Sequence, residues 1–213
     1  MATGRSGGGG GAAGKCRGGF FGLLFTVGFI VLIYWAIFQP HHIRAAVDSA
    51  TLSNLTVSSN AASAAGVSYH LVVKLSLYNP SVRVNIYYDA LDAELRFRDA
   101  AVIGPAANDT SPSEFYQRSK TNEVVTVEFD YGRPGAVAVA GDAAGDLEKE
   151  MRSGGPVSLE LHVGVQVRYV FRMFKLRQKP RISCPLRIPV RKETRGHGVG
   201  GLLVSGERCK VKY

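Results

Sequence analysis

Residues 157–173 read VSLELHVGVQVRYVFRM. Val157, Leu159, Leu161, Val163, Val165, Val167, Tyr169, Phe171 and Met173 occupy every second position, with Ser158, Glu160, His162, Gln166 and Arg168 among the residues between them. A period of two buries one face of an extended chain and wets the other, so the stretch reads as a half-buried β-strand. At about 3.3 Å per residue it would span roughly 56 Å, too long for a small domain. Gly164, in mid-run, is therefore expected to mark a bulge or bend. The same period recurs outward from this stretch. Upstream it is carried by Val67, Tyr69, Leu71, Val73, Leu75 and Leu77, by Leu91, Ala93, Leu95 and Phe97, and by Val125, Val127 and Phe129. Downstream it is carried by Ile182, Cys184, Leu186 and Ile188, and by Cys209, Val211 and Tyr213. Residues 142–152 are the exception, reading as a short helix with Asp142 as its candidate cap and Gly154-Gly155-Pro156 as its stop. Seven or so short strands with one small helix predict an all-β chain folded as an antiparallel β-sandwich.

Residues 20–38 read FFGLLFTVGFIVLIYWAIF, nineteen residues without a charge. As a helix this block spans about 28 Å, close to the roughly 30 Å hydrocarbon core of a bilayer. It is longer than the apolar region of a cleaved signal peptide and lacks a small-x-small site at its end, so it reads as an uncleaved transmembrane anchor. Arg5, Lys15 and Arg17 precede it with no acid, which places the N-terminus in the cytosol and the rest outside. The predicted organisation is a flexible glycine-rich tail over 1–19, a membrane helix over 20–38, a juxtamembrane stalk with the first strand over 39–66, and an exoplasmic domain over 67–213. Asn54 and Asn108 head N-x-[ST] acceptors on the predicted outer side. Cys184 and Cys209 lie on that oxidising side, each at an inward strand position, and are a candidate disulfide. Cys16, at the cytosolic membrane edge, is either a palmitoylation site or an unmodified thiol.

The 213 residues carry 26 Lys and Arg against 17 Asp and Glu, a formal charge of +9. Nine of the cations fall within residues 168–192 with no acid among them: Arg168, Arg172, Lys175, Arg177, Lys179, Arg181, Arg187, Arg191 and Lys192. Such a field attracts polyanions. Nucleic acid is excluded by the predicted compartment, which leaves acidic cell-wall polysaccharide, anionic headgroups, or a face that is simply solvated. Enzyme chemistry finds no support: there is no G-x-S-x-G, no carboxylate pair in a recognisable setting, and no metal or cofactor motif. His41 and His42 follow the apolar block, His70 and His162 fall on polar strand faces, and His197 sits among glycines. The stretch 9–16 matches G-x-x-x-x-G-K, but Cys16 stands where a phosphate-binding loop needs Ser or Thr, and no strand precedes it.

Tyr78-Asn79-Pro80-Ser81-Val82-Arg83-Val84-Asn85-Ile86-Tyr87-Tyr88-Asp89 is similar to the N-P-N-x-x-x-x-I-Y-Y-D stretch of plant NDR/HIN-like proteins, with Ser81 where Asn is usual. Phe115-Tyr116-Gln117 followed by Lys120-Thr121-Asn122, and the two cysteine-bearing ends, resemble further segments of that family. The resemblance implies an immunoglobulin- or fibronectin-III-like sandwich of the late embryogenesis abundant group-two type. It also implies a setting in the plant plasma membrane or at plasmodesmata, and a link to pathogen defence and abiotic stress. Independently, Pro80 fixes a turn and holds Asn79 extended, and the Asn79 amide is suited to satisfy nearby turn backbone. Ile86 and Tyr88 then share one face, and Tyr87 and Asp89 the other. That motif is either a fold-determining turn and strand or a ligand surface built on Tyr87, Asp89 and Arg83. The expected role is a non-enzymatic interaction or adaptor protein working with the bilayer and with other membrane or signalling proteins. The alternative is a protective protein buffering membrane and wall in desiccation.

Overall fold

The computed structural model describes residues 12–38, 42–59, 64–98, 101–105, 114–132, 135–171, 174–192, 198–204 and 206–213. The chain divides into two units, Met1–Gln39 and Pro40–Tyr213.

The first unit holds one helix, α1, over Ala12–Phe38. It begins eight residues before the apolar block, so the described part of the expected tail, 12–19, is helical rather than extended coil. Side chains are described over 21–36, and all are exposed. Those sixteen residues cover about 24 Å of helix, and among the described residues no helix is long and apolar enough to cross a membrane. Thr26 returns its hydroxyl to the Gly22 carbonyl at 2.8 Å, so its polar group is satisfied within the helix.

The second unit is all-antiparallel. Its strands are β1 Arg44–Ser59, β2 Ala64–Tyr78, β3 Asn85–Phe97, β4 Ala101–Pro105, β5 Phe115–Gln117, β6 Asn122–Tyr131, β7 Val137–Ala140, β8 Pro156–Phe171, β9 Phe174–Gln178, β10 Arg181–Lys192, β11 Val199–Val204 and β12 Lys210–Lys212. A helix, α2, covers Gly141–Ser153. One sheet carries β6, β2, β1 and β11 in that order, with β7 also on β2. The other is centred on β8, which pairs with β3 on one side and with β9 and β10 on the other; β4 and β5 extend it from β3 and β12 from β10. Residues 181–189 of β10 pair with β8 and residues 190–192 with β11, so this one strand belongs to both sheets and joins them. Gly201 sits where β10 changes sheet, and a Cβ there would collide with the Pro189 carbonyl oxygen. The sheets enclose a single apolar cluster in which Leu71, Leu75, Leu77, Ile86, Leu161 and Leu186 are fully buried.

Several expectations are corrected. Among the described residues there are twelve strands rather than about seven, and β8 runs sixteen residues without interruption. Gly164 is neither bulge nor bend: it pairs regularly with Arg181 on one side and Asp92 on the other. The run ends instead near residue 171, where β8 turns back into β9. Against β8, β3 carries a bulge between Tyr88 and Ala90. Asp89 is the extra residue, and it shifts the buried positions from Ile86 and Tyr88 to Leu91, Ala93, Leu95 and Phe97. Within 39–66, residues 44–59 form the first strand, β1. β1 lies between β11 and β2, and its buried positions change parity twice, Ala45 and Val47, then Ala50 and Leu52, then Leu55, at two register shifts. Asp142 does not cap α2. Ala140 holds the cap position without a side-chain bond, and the Asp142 carboxylate accepts from the Ala143 N–H instead. Gly154 closes the helix in the left-handed conformation at φ 69°.

Candidate functional site

β2 ends at Tyr78 and β3 begins at Asn85, so the intervening turn, buried at Asn79, Ser81 and Val84, has to satisfy its own backbone there. Asn79, fully buried, does most of this. Its Nδ2 donates to the carbonyls of Val84 at 2.9 Å and Arg118 at 3.1 Å, and its Oδ1 accepts from the Ser81 N–H at 3.1 Å. Its backbone exchanges bonds with Thr121 and Lys120. Gln117 completes the knot. Its Nε2 donates to the carbonyls of Leu77 and Thr121, and its Oε1 accepts from the Tyr88 hydroxyl at 2.9 Å. Burial, with smaller contributions from Tyr213 and Glu123, pushes the Tyr88 phenol well above its ordinary range, so it is a standing donor. Asn79, Pro80, Ile86 and Tyr88 thus build the fold: Pro80 shapes the turn, and Ile86 is fully buried. Ser81 is also buried, and its hydroxyl oxygen has no partner.

The outward side of the same strands is different in character. Asp89, displaced by the bulge, accepts from Arg168 on β8, with Nε at 2.7 Å and the second guanidinium nitrogen at 2.6 Å. That hydrogen bond is the main reason the Arg168 pKa is raised. Arg83 lies exposed in the turn; the cation that meets Asp89 is Arg168. The Arg168 guanidinium carbon lies 5.8 Å from the centre of the Tyr87 ring, and Tyr87 packs on Tyr116 with centroids 4.6 Å apart. Each tyrosine keeps 40% of its surface exposed. The registers explain the grouping: Tyr116 pairs with Tyr87, Tyr87 with Arg168, and Arg168 with Arg177. Directly opposed residues point to the same side, so Tyr116, Tyr87, Arg168 and Arg177 form one row across β5, β3, β8 and β9. With strands about 4.8 Å apart, the row is roughly 14 Å long.

The basic stretch is only partly gathered here. Lys175 and Arg177 lie exposed on β9, and neither has an ion-pair partner among the described residues. Arg181 lies farther along the same outward face, opposite Gly164, and Lys179 is exposed in the turn between β9 and β10. Arg172 lies outside the described residues. Arg168 is not a free cation, because Asp89 balances it. Where Gly164 leaves the outer face without a side chain, a depression of about 830 Å³ opens between Asp92 and Glu94 on one flank and Arg181 and Lys212 on the other. His70 bonds Glu128 across β2 and β6 at 2.8 Å, and His162 lies 3.3 Å from Glu160.

The Sγ atoms of Cys184 and Cys209 are bonded, joining β10 to the chain entering β12. Asn54 is exposed on β1 and takes φ 54° inside the second register shift. Asn108, His41 and His197 lie outside the described residues, as does the Cys16 side chain. Among the described residues no group of three His, Cys, Asp or Glu is placed to hold a metal. Tyr116 and Gln117 carry as much of this region as the residues singled out by sequence. Their three-residue strand gives no periodic signal, and their only trace in the sequence is the Phe-Tyr-Gln segment itself.

No protein-family model matches the chain. Among curated proteins it is similar to four from Arabidopsis thaliana, three of which are described. NDR1/HIN1-like protein 3 is 27% identical over 99% of this chain and 90% of its own length. NDR1/HIN1-like protein 10 is 28% identical over 79% of this chain and 70% of its own, and NDR1/HIN1-like protein 1 is 27% identical over 90% and 85%. Among solved structures, a protein from Archaeoglobus fulgidus overlaps 69% of this chain at 9% identity, with a TM-score of 0.28.

Proposed function

We propose that the chain, which is similar to NDR1/HIN1-like proteins over most of its length, is a membrane-anchored interaction protein acting in plant defence and stress responses. Residues 20–38 hold it in the plasma membrane with the N-terminus in the cytosol, and the β-domain faces outward and recruits partners without catalysing a reaction. The uncharged block and the cations before it support the anchor and its direction. A disulfide between Cys184 and Cys209 fits an oxidising compartment. In this reading Asn54 and Asn108 are glycosylated, and Cys16, on the cytosolic side, is palmitoylated. The observation that carries the interaction role is the outward row Tyr116, Tyr87, Arg168 and Arg177. Two half-exposed aromatic rings beside cations, held by a rigid sheet, are the composition of a recognition surface.

The test combines sidedness with capture on intact plant cells. External protease is expected to remove the β-domain, and glycosidase to shift the wild type but not Asn54→Gln/Asn108→Gln. Partners captured by the wild type are expected to be lost from Tyr87→Ala/Tyr116→Ala. A β-domain protected in intact cells, or capture indifferent to both tyrosines, would overturn the reading.

A further inference from the structure

We propose that the row Tyr116, Tyr87, Arg168 and Arg177 binds a linear acidic polysaccharide, a polymer of sugar acids. This rests on the recognition-surface reading above and names the chemistry of its occupant. The row is not uniform. At the β5 and β3 end it offers two packed phenol rings, half-exposed and with their hydroxyls free to bond. In the middle, Asp89 neutralises Arg168 and holds its guanidinium against Tyr87. At the β9 end stand Arg177 and its neighbour Lys175, exposed and without ion-pair partners among the described residues. Net positive charge therefore lies at the β9 end, while the ring surface lies at the other, beside the exposed Glu114, whose carboxylate adds to the field that raises the Arg168 pKa.

A sugar acid has the matching division. The C–H face of its ring is apolar and flat enough to stack on tyrosine, while its carboxylate projects from the ring edge and suits a guanidinium or ammonium. A chain of such units repeats this pairing, so a row about 14 Å long engages more than one unit at a time. A lipid surface fits the row less well. Its headgroups supply charge but no ring to stack, and membrane-surface segments carry Trp, Phe or Leu at the position taken here by polar-tipped tyrosines in mid-strand.

The test uses the purified full chain in nanodiscs of neutral phosphatidylcholine, with polygalacturonate as probe. Binding is measured at about 50 mM and about 200 mM salt, the range over which polyelectrolyte binding falls steeply. Polygalacturonate is expected to bind roughly tenfold or more tightly than its fully methyl-esterified form, which keeps the rings and removes the charge. Tyr116→Ala is expected to weaken binding roughly tenfold without altering the salt slope, and Tyr116→Phe to restore most of it. Lys175→Gln/Arg177→Gln is expected to weaken binding and flatten the slope. Each variant is first checked for an unchanged melting temperature. Equal binding of the methyl ester, or no effect of Tyr116→Ala, overturns the proposal. So does tighter binding to single-stranded DNA or to anionic vesicles at equal salt. The measurement does not depend on which way the domain faces. Failure here leaves the topology intact, and tight binding by a domain found inside the cell would sink the topology alone.

Discussion

Asp89 accepts a hydrogen bond from Arg168 Nε at 2.7 Å, at the one residue where β3 slips its register against β8. A bulge frees one residue from the ladder and aims its side chain outward. Here the freed residue is an acid, and the strand beside it supplies the base. Removing the carboxylate by Asp89→Ala leaves the guanidinium beside the Tyr87 ring without its anion. Both side chains are about a third exposed, so solvent screens the pair and only a small loss is expected in urea unfolding. A double-mutant cycle with Arg168→Ala isolates the coupling, expected to be small and favourable. A coupling of zero would mean that the bulge does not depend on the pair.

The Asn79 knot makes a stronger prediction. Asn79→Ala strips the donors from two carbonyls, Val84 and Arg118, and the acceptor from the Ser81 N–H in a buried turn. Orphaned buried groups cost about 1–3 kcal/mol each, so the loss is expected to be about 3 kcal/mol or more. Ser81→Ala should behave oppositely. It removes a buried hydroxyl that bonds to nothing, and stability is expected to hold or rise slightly. Equal damage from both substitutions in thermal unfolding would contradict this bonding pattern.

The bridge between Cys184 and Cys209 closes a sequence separation of 25. In the chain-entropy account a loop of that size is worth about 3 kcal/mol, all of it through the unfolded state. Cys184→Ala/Cys209→Ala is expected to lower the urea midpoint accordingly and to steepen the denaturant slope, because the unfolded chain without the bridge is less compact. If reduction of the wild type left stability untouched, the bridge would not be holding β12 to β10.

Alkaline pH should unfold the β-domain. Burial is the main cause that pushes the phenols of Tyr69, Tyr88 and Tyr169 above their ordinary value of 10.0. A group whose folded pKa exceeds its unfolded pKa binds its proton more tightly when folded. Its contribution is complete below the unfolded value and is lost as pH rises through and beyond it. Stability is therefore expected to be flat in these groups below about pH 9 and to fall above about pH 10, with a slope approaching three protons, about 4 kcal/mol per pH unit. Each Tyr→Phe substitution among the three should reduce that slope by one proton. An unchanged slope in Tyr88→Phe would mean that its phenol already ionises in the native state.

The parts of the fold that were legible in the sequence are those with local causes. The alternation of β2, β6 and β8 is set by which side chains avoid water two residues apart, and it survives intact in the buried positions. The stop of α2 at Gly154 follows from a residue that tolerates positive φ. What failed were segments whose period is broken. β1 was legible only as a first strand without defined bounds within 39–66, because its two register shifts reset the alternation twice within sixteen residues. On β3 the reset was present in the sequence, as even-numbered Ile86 and Tyr88 followed by odd-numbered Leu91 to Phe97. Only the pairing with β8 says that both sets face one core and that Asp89 is the residue left over.

The candidate site was half legible for the same reason. Sequence alone determined that the chain is all-β, that residues 20–38 are uncharged, and that the cations cluster after residue 167. Each of these is a property of neighbours along the chain. Only the tertiary structure decided that Tyr116 lies against Tyr87, that Arg168 is balanced while Lys175 and Arg177 are not, and that β10 joins the two sheets. These depend on register between strands far apart in sequence. Bulges and turns set that register, and a shift of a single residue would send every one of these side chains to the opposite face.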